Sequence, residues 1–464
     1  MKKRILFLGM LVFIGASLFA QSDDDLFGGS DDDFFADDGI DIVDEVTAKS
    51  DLSKGTLFEN GSIKIGGMFN ASLGTTTVLY ADDDASFGDH VKDTTLTPTL
   101  NAFLSVDARP TETLRMYTKF GLAYPFNTTA NSYLKVGEPT GFAFDANMQQ
   151  IAVQKVEASI TDWFKLKELF TDFSIADRAF FRFGVHTVTW GTGYFFSPVS
   201  DMINASSINP EDTDAQVDGV LNLRTQITFP GSQNCLWLYV VPSTDFKNAG
   251  SAESYAKQTA LAAKGDFVIG GWEFGVGGYW KYQNAPKAMI TASGSLKKFS
   301  LFGEFVYQYG GALEWAQNTD WDNKKSIIQA TAGVSYYFKD PMITLAAQYY
   351  YDGNDKDLQQ YFTYGHNLAF LVNFGKILGT EDLSANIFGM VNFGKEDMPD
   401  MIKTVLADYG IASYLNSATF SAMLNYSPIK DFKIGVGPYV TVSAWEDKPT
   451  VGLKLSATLG GGKF

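Results

Sequence analysis

The chain has 464 residues, a formal net charge of -17 and a single cysteine, Cys235. The acidic balance argues against nucleic-acid binding, and one cysteine excludes an intramolecular disulfide. Aromatic residues reach 15% and the mean hydropathy is -0.06, as expected when strands alternate between lipid-facing and water-facing side chains.

The first residues predict export. Lys2-Lys3-Arg4 precedes an apolar run from Ile5 to Ala16, and Ala20 offers a cleavage position, the order of a secretory signal peptide. No other apolar stretch approaches the roughly 20 residues of a membrane helix. We therefore expect a signal peptide at residues 1–20 and a secreted or outer-membrane product.

An acidic segment follows. Ser22 to Asp51 carries twelve acidic residues against one lysine, a charge density that cannot offset the entropy of ordering. We interpret residues 21–61 as a disordered periplasmic segment. Its near-repeat places Phe27, Phe34 and Phe35 beside aspartates. Besides a solvated leader, the alternatives are a docking motif for a periplasmic partner and a calcium-binding loop.

From Ser62 onward, alternating runs recur at the length of a tilted membrane strand. About eighteen are predicted, near 62–80, 95–108, 113–125, 148–160, 180–190, 218–229, 235–241, 260–270, 272–283, 287–297, 299–309, 327–338, 342–351, 365–374, 383–393, 417–426, 432–444 and 448–459. The sequence therefore predicts an all-β fold, a transmembrane antiparallel β-barrel of about 16–18 strands over residues 62–464.

The links between these runs alternate in length. Tight links at 109–112, 230–234, 270–271, 339–341 and 427–431 separate long ones near 126–147, 191–217, 310–326, 352–364 and 394–416. Outer-membrane barrels have short periplasmic turns and longer external loops. Two segments depart from this rhythm and have helical spacing: Thr161 to Asp177, predicted as a surface helix, and Met401 to Tyr409, predicted as a loop helix.

Charged side chains share one face of three predicted strands. Arg115 with Lys119, Arg182 with His186, and Arg224 each alternate with apolar neighbours, so we expect these five to face a hydrated lumen. They form either a basic ladder that acts on permeating solutes or a set of structural ion pairs with lumen carboxylates; a surface role is the third alternative.

The third external loop, 191–217, carries acidic residues that could oppose this ladder: Asp201, Glu211, Asp212 and Asp214. The arrangement resembles that of general porins, whose third loop folds inward and narrows the channel. A charged ring in a water-filled tube selects by size and charge without tight binding. We therefore predict a pore constriction formed by Arg115, Lys119, Arg182, His186, Arg224, Asp201, Glu211, Asp212 and Asp214.

The same loop has a sequence signature. Trp190-Gly191 follows a strand, Phe196-Ser197-Pro198 comes next, and Asn209-Pro210-Glu211 precedes the following strand. These steps resemble a family of uncharacterised, porin-like outer-membrane barrels often placed near lipid or polysaccharide export systems. The resemblance covers about 50 residues and implies a plugged or narrowed lumen, with no substrate specified.

The expected function is therefore passive diffusion of small hydrophilic solutes through the outer membrane. An outer-membrane transporter of hydrophobic substrates, of the fatty-acid-channel type, and a surface adhesin or receptor barrel are alternatives. Tyr349-Tyr350-Tyr351 is read as part of an aromatic girdle, with a ligand pocket as the alternative. Scattered histidines and the lack of a nucleophile elbow predict no enzyme, metal or cofactor.

The final run from Thr450 to Leu459 alternates, and the chain ends on Phe464. This ending resembles the signal read by the bacterial barrel-assembly machinery. The expected partners are that machinery, outer-membrane lipid and lipopolysaccharide, small solutes and further copies of the chain in a homotrimer, with no nucleic acid.

Overall fold

The computed structural model describes residues 58–81, 86–92, 94–124, 141–144, 150–153, 164–176, 178–211, 213, 217–243, 250–311, 315, 326–353, 365–393, 417–429, 431–443 and 448–463. The predicted signal peptide, most of the acidic segment, the predicted helix around Met401 and the terminal Phe464 lie outside the described residues. In the described part, no helix is long and apolar enough to cross a membrane.

Strands dominate the described chain, and two short helices lie in the links. The strands are β1 (Phe58–Asn60), β2 (Ile63–Tyr80), β3 (Thr95–Thr111), β4 (Leu114–Tyr124), β5 (Gly141–Phe144), β6 (Gln150–Val153), β7 (Phe164–Ile175), β8 (Ala179–His186), β9 (Val220–Thr228), β10 (Cys235–Val241), β11 (Ala260–Ile269), β12 (Trp272–Lys281), β13 (Lys287–Leu296), β14 (Phe299–Tyr309), β15 (Ser326–Phe338), β16 (Ile343–Asp352), β17 (Gly365–Phe374), β18 (Leu383–Phe393), β19 (Ser417–Ile429), β20 (Phe432–Ser443) and β21 (Thr450–Lys463). The helices are α1 (Phe87–Lys92) and α2 (Ala252–Gln258), and Ser200–Met202 forms a 3-10 turn.

Eighteen strands close into an antiparallel barrel. β2, β3 and β4 are followed around the wall by β7 and then by every strand to β21. The last strand returns to the first, with Asn70 opposite Gly460 and Thr76 opposite Lys454. The predicted strand count and the assignment of the terminal run to a strand are therefore confirmed. β1 adds a short pairing to β2, while β5 and β6 form a separate two-stranded sheet.

The links between barrel strands follow the predicted rhythm. At one end of the barrel, consecutive strands are joined by two to eight residues; at the other end, the links run from five residues at 282–286 to the long segment 125–163. All five predicted tight links lie at the first end. This regular alternation lets every strand pair with its sequence neighbour, so the wall has no crossover connection.

One strand was predicted wrongly. Within the predicted run 148–160, the described residues Gln150–Val153 pair with Gly141–Phe144 in a separate sheet, and the barrel strand is Phe164–Ile175, where a helix was expected. The reason is a bulge opposite Lys119 and Phe120. An extra residue in one strand shifts the alternation by one position, so the apolar residues of β7 fall at helix-like spacing.

The outer face of the barrel is apolar and the inner face is polar. Val276 is 54% exposed and Ile290 is 51% exposed on the outside, whereas Thr291, Glu304 and Gln348 are buried on the lumen side. Because a closed antiparallel barrel leaves no unpaired edge, it can expose such a surface to lipid. The chain is therefore a closed antiparallel barrel whose outer surface suits a membrane.

A charge on the outer face should destabilise the barrel. Val276 lies near the middle of β12 with its side chain outward, so Val276→Arg should cost about 2–4 kcal/mol, the range for arginine at the lipid midplane. The measurement is urea unfolding of the protein folded in lipid vesicles, followed by heat-modifiable migration on a gel.

The matched control is Ser421→Arg in β19, whose side chain lines the lumen. This variant should unfold close to the parent. Equal destabilisation by both substitutions would contradict the assignment of the two faces.

Candidate functional site

The segment between β8 and β9, residues 187–219, is named here the lumen loop. Its two ends are fastened to each other: the Thr187 hydroxyl donates to the Val217 carbonyl at 2.6 Å. The side chain of Asn204 holds Val188 from both sides, accepting from its N–H and donating to its C=O, each at 2.8 Å. The loop therefore leaves the wall as a compact unit.

Trp190 begins the passage of the loop across the barrel. Its indole N–H donates to the Val199 carbonyl at 2.7 Å, and its ring meets that of Tyr239 edge-on at 4.9 Å. Its own carbonyl accepts from the Lys264 ammonium on β11 at 2.7 Å. Lys264 is buried and pairs with Asp266 at 2.9 Å, so its charge is compensated while it holds the loop.

The carboxylate of Glu304, in the middle of β14, is surrounded by the loop. One oxygen accepts from the N–H of Thr192 at 2.6 Å, the N–H of Gly193 at 2.7 Å and the hydroxyl of Ser197 at 2.9 Å. The other oxygen accepts from the N–H of Val199 at 2.9 Å. Glu304 is 4% exposed, and a buried carboxylate is tolerated when donors of this kind replace water.

Gln348 on β16 holds the next three residues of the loop. Its side-chain oxygen accepts from the N–H groups of Tyr194, Phe195 and Phe196 at 3.0, 2.6 and 3.3 Å. Its amide nitrogen donates to the Phe196 carbonyl at 2.7 Å and to the Thr331 hydroxyl at 2.5 Å. One amide side chain thus satisfies buried backbone groups that have no strand partner.

Two apolar clusters complete the contact between loop and wall. The first joins Val188, Trp190, Val199, Met202 and Ile203 of the loop to Tyr239, Ala262, Met289 and Val306 of the wall. The second joins Phe195 to Ala346, Ala369 and Phe388. All of these wall residues lie between β10 and β18, so the loop covers that part of the inner wall.

A cavity of about 280 Å³ lies on the side of the lumen that these contacts leave. Its lining is Gly74, Thr75, Thr76, Glu211, Asn386, Phe388, Ser421, Met423, Lys454, Leu455 and Ser456. Glu211 belongs to the lumen loop, and the other residues belong to β2, β18, β19 and β21. Five of these residues have a hydroxyl or amide group, three are apolar, and the lining has one acidic and one basic side chain.

Two of the predicted arginines lie in ion pairs. The Arg182 guanidinium binds Asp172 through two nitrogens, at 2.6 and 2.8 Å. Arg115 donates to Asp107 at 3.0 Å and lies 3.7 Å from Asp172. Arg182 and Arg224 are also directly opposite each other across β8 and β9. Acidic residues therefore lie among the basic residues of this row.

The other predicted basic residues lie on the same wall. Lys119 is opposite Glu168 in the strand register, and its ammonium lies 5.0 Å from the Phe103 ring. Arg224 lies 5.4 Å from the Trp237 ring. His186 is buried against Phe170 with ring centroids 5.8 Å apart. The five basic residues are therefore on β4, β8 and β9.

The predicted acidic residues divide into two groups. Asp212 and Asp214 lie outside the described residues. Asp201 lies in the 3-10 turn of the loop, exposed to the lumen but enclosed by the barrel. This enclosure, together with the neighbouring carboxylates of Glu304 and Asp352, raises the pKa of Asp201 to about 7. Glu211 is apart from it, at the polar cavity.

Sequence reasoning missed the residues that hold the loop: Lys264, Glu304 and Gln348. Each lies on a strand that alternates regularly, and each is a single polar residue on the inward face. A polar residue at such a position indicates that its side chain faces the lumen. It does not indicate which group the side chain binds. The contacts of these residues with 190–199 join positions more than 70 residues apart in the sequence, so no local pattern predicts them.

No family model matches the chain, and no curated protein matches it. Similar solved structures include OccK11 (OpdR) of Pseudomonas aeruginosa, with 10% identity, TM-score 0.45 and coverage of 85% of this chain and 95% of that one. The outer-membrane protein OpdK of the same organism has 9% identity, TM-score 0.46 and coverage of 86% and 98%. OccAB4 of Acinetobacter baumannii has 10% identity, TM-score 0.45 and coverage of 86% of this chain and 98% of that one.

Removing the charge of Glu304 should loosen the loop without opening the barrel. In Glu304→Gln an amide NH₂ would face at least one N–H donor, and a hydrogen bond to a charged group is worth about 1.5–3 kcal/mol. We expect amide hydrogen exchange across residues 192–199 to accelerate by at least about ten-fold, measured by mass spectrometry in detergent.

The control is Glu253→Gln, an exposed carboxylate in α2. It should leave exchange in residues 192–199 unchanged. If Glu304→Gln also leaves it unchanged, the carboxylate does not hold the loop.

Proposed function

We propose that this protein is an outer-membrane channel for the passive diffusion of small hydrophilic solutes, with the lumen loop narrowing the passage. The proposal rests on one observation: the lumen loop fills one side of the lumen and leaves a cavity on the other side. The loop occupies the side next to β10–β18, and the polar cavity beside β2, β18, β19 and β21 is the space that solutes would use.

The lining of this space suits hydrated solutes. Thr76, Asn386, Ser421 and Ser456 offer hydroxyl and amide groups that can exchange hydrogen bonds with water at little cost. Uncharged polar groups do not bind one solute tightly, and a solute must leave as easily as it enters. Such a surface favours diffusion over capture.

Glu211 and Lys454 give the passage one charge of each sign. They line the same cavity, one from the loop and one from β21. Opposed charges across a narrow water-filled space act on ions by field strength and on neutral solutes by size. We infer that this pair sets the selectivity of the channel.

Arg115, Lys119, Arg182, His186 and Arg224 remain proposed lumen residues of the constriction, with Asp201, Glu211, Asp212 and Asp214 from the loop. For Arg115 and Arg182 the ion pairs with Asp107 and Asp172 support the structural alternative. Removing one partner of a buried pair leaves the other charge uncompensated, so Arg182→Ala is expected to affect stability as well as selectivity.

The outer-membrane setting also carries proposals about assembly. We propose contact with lipopolysaccharide or its equivalent around the apolar belt, recognition of the last strand and Phe464 by the barrel-assembly machinery, and a possible homotrimer. Of the two alternative functions, the adhesin or receptor barrel has no particular contact in its favour.

Conductance in a planar bilayer tests the channel. Purified protein should produce stepwise openings, and in a salt gradient Glu211→Gln and Lys454→Gln should move the reversal potential in opposite directions, because they remove opposite charges from one passage. Lys298→Gln, in the exposed turn between β13 and β14, is the control and should not move it.

Two results would count against this assignment. Protein that inserts and shows heat-modifiable migration but never conducts would exclude a channel. If the openings keep the same reversal potential in both variants, the passage lies elsewhere in the lumen.

The raised pKa of Asp201 predicts a pH dependence. Because its pKa is about 7 instead of the ordinary 3.8, the folded state keeps this proton while an unfolded chain releases it. The contribution of Asp201 to stability therefore declines as the pH rises from about 4 to about 7. Above that range the lumen gains a negative charge.

We expect cation selectivity to increase between about pH 6 and pH 8, measured by reversal potentials. Asp201→Asn should remove this step. Asp89→Asn, in which an exposed carboxylate of α1 is replaced, should retain it. A step that survives in Asp201→Asn belongs to another group.

A further inference from the structure

Among the described residues, the hydrogen-bonded wall is interrupted beside the start of β7. Pairing between β7 and β8 begins at Leu169 opposite Val185 and continues to Ile175 opposite Ala179. β7 itself starts at Phe164, whereas β8 ends at His186. Within the described chain, residues 164–168 of β7 therefore extend past the β8 ladder, and we name this place the lateral notch.

The strands beside the notch are short. β8 has eight residues, β9 nine and β10 seven, while β7 has twelve and β4 eleven. A tilted strand needs about 9–11 residues to cross the hydrocarbon layer. The wall at β8–β10 is thus at or below the length needed to cross the membrane core, and it is lower there than at β4 and β7.

Two glycines allow close backbone contacts beside the notch. Gly184 has φ +142°, and a Cβ at this residue would lie 2.1 Å from the Leu169 carbonyl oxygen. A Cβ at Gly219 would lie 2.1 Å from the backbone carbon of His186. At Gly184 the close neighbour is the backbone of β7, and at Gly219 it is the end of β8, so neither position has room for a side chain.

A cavity of about 310 Å³ occupies the notch. It is lined by Phe164, Lys165, Leu166, Lys167, Val185, Asp218 and Gly219. The lining combines both faces of the wall: Lys167 lies on the lumen side against Gly121, while Leu166 is 43% exposed on the outside. The cavity therefore connects the lumen side with the lipid side.

The chemistry of the cavity is amphipathic. Lys167 binds Asp218 at 2.7 Å across the notch, and Lys165 adds a second, exposed cation. Outside, Phe164, Leu166 and Leu169 are 47%, 43% and 51% exposed. Cationic groups at the rim and a continuous apolar strip beside them match a molecule with an anionic head and a hydrocarbon chain.

We propose that the lateral notch is a portal for a single-chain amphiphile with an anionic headgroup, such as a fatty acid or a lysophospholipid. The headgroup lies at Lys165 and Lys167, displacing Asp218 from Lys167, and the chain lies along Phe164, Leu166 and Leu169. This route through the wall is separate from the polar cavity at β18–β21 and does not require the proposed diffusion of hydrophilic solutes.

Photocrosslinking tests the portal. The full-length protein in nanodiscs is irradiated with a diazirine-labelled palmitate, and in a second arm with a diazirine-labelled lysophospholipid; the crosslinked residues are located by mass spectrometry. We expect labelling concentrated on 164–169 and Val185 compared with Ile434 and Leu459, which are exposed to a similar degree on β20 and β21. The arm that labels identifies the headgroup.

The cations supply the second readout. The double substitution Lys165→Gln and Lys167→Gln should reduce labelling of 164–169 by about ten-fold, as expected when two lysines near a membrane surface stop attracting an anion. The control pair Lys297→Gln and Lys298→Gln, in the exposed turn after β13, should leave labelling unchanged. Heat-modifiable migration verifies that every variant is folded.

The outcomes are separable from those of the channel. Labelling that is even around the barrel, or that ignores the loss of both lysines, overturns the portal whether or not the protein conducts. Labelling confined to the notch and dependent on the lysines supports the portal, even in a preparation that shows no conductance.

Discussion

The architecture of the lumen depends on one buried carboxylate. Glu304 accepts four hydrogen bonds from residues 192–199 and lies on β14, five strands along the wall from β9. A long loop has backbone donors that must be satisfied away from water, and a carboxylate satisfies several at once with charge-assisted bonds. The side-chain oxygen of Gln348 accepts hydrogen bonds from the next three N–H groups of the loop in the same way.

The position of this anchor decides how the lumen is divided. Because Glu304 and Gln348 lie in the middle of their strands, the loop is held at mid-height instead of resting at the rim. Lys264 fixes Trp190 in the same layer, and the apolar clusters fill the space between. A loop held by polar groups on three strands cannot slide along one of them, so the free side of the lumen keeps a defined lining.

The sequence predicted the wall better than its contents. Seventeen of the eighteen predicted runs coincide with barrel strands, because alternation and turn residues are local signals. The failure at β7 is also local: the bulge opposite Lys119 and Phe120 displaced Leu166 relative to Leu169 and Phe173 by one position, and the result imitates a helix. The residues that hold the loop could not be predicted, since a lone glutamate on an inward face has many possible partners. The aspartates that pair with Arg115 and Arg182 lie on β3 and β7, and no local pattern gives the register that brings these strands beside the arginines.

The narrowed lumen and the notched wall have the same structural cause. When the chain turns inward after His186 and returns at Val220, its residues contribute to the interior, and β8 lacks the upper part that would have paired with residues 164–168 of β7. A strand cannot both continue the wall and cross the lumen, so an inward loop of this kind creates an opening unless another segment covers it. The Lys167 to Asp218 ion pair is the only described contact of its type across that opening, and it is half exposed at its aspartate. An exposed pair of this kind contributes little to stability, so an anionic headgroup can replace Asp218 at small cost. The same loop that fills one side of the lumen therefore also shapes the lateral notch.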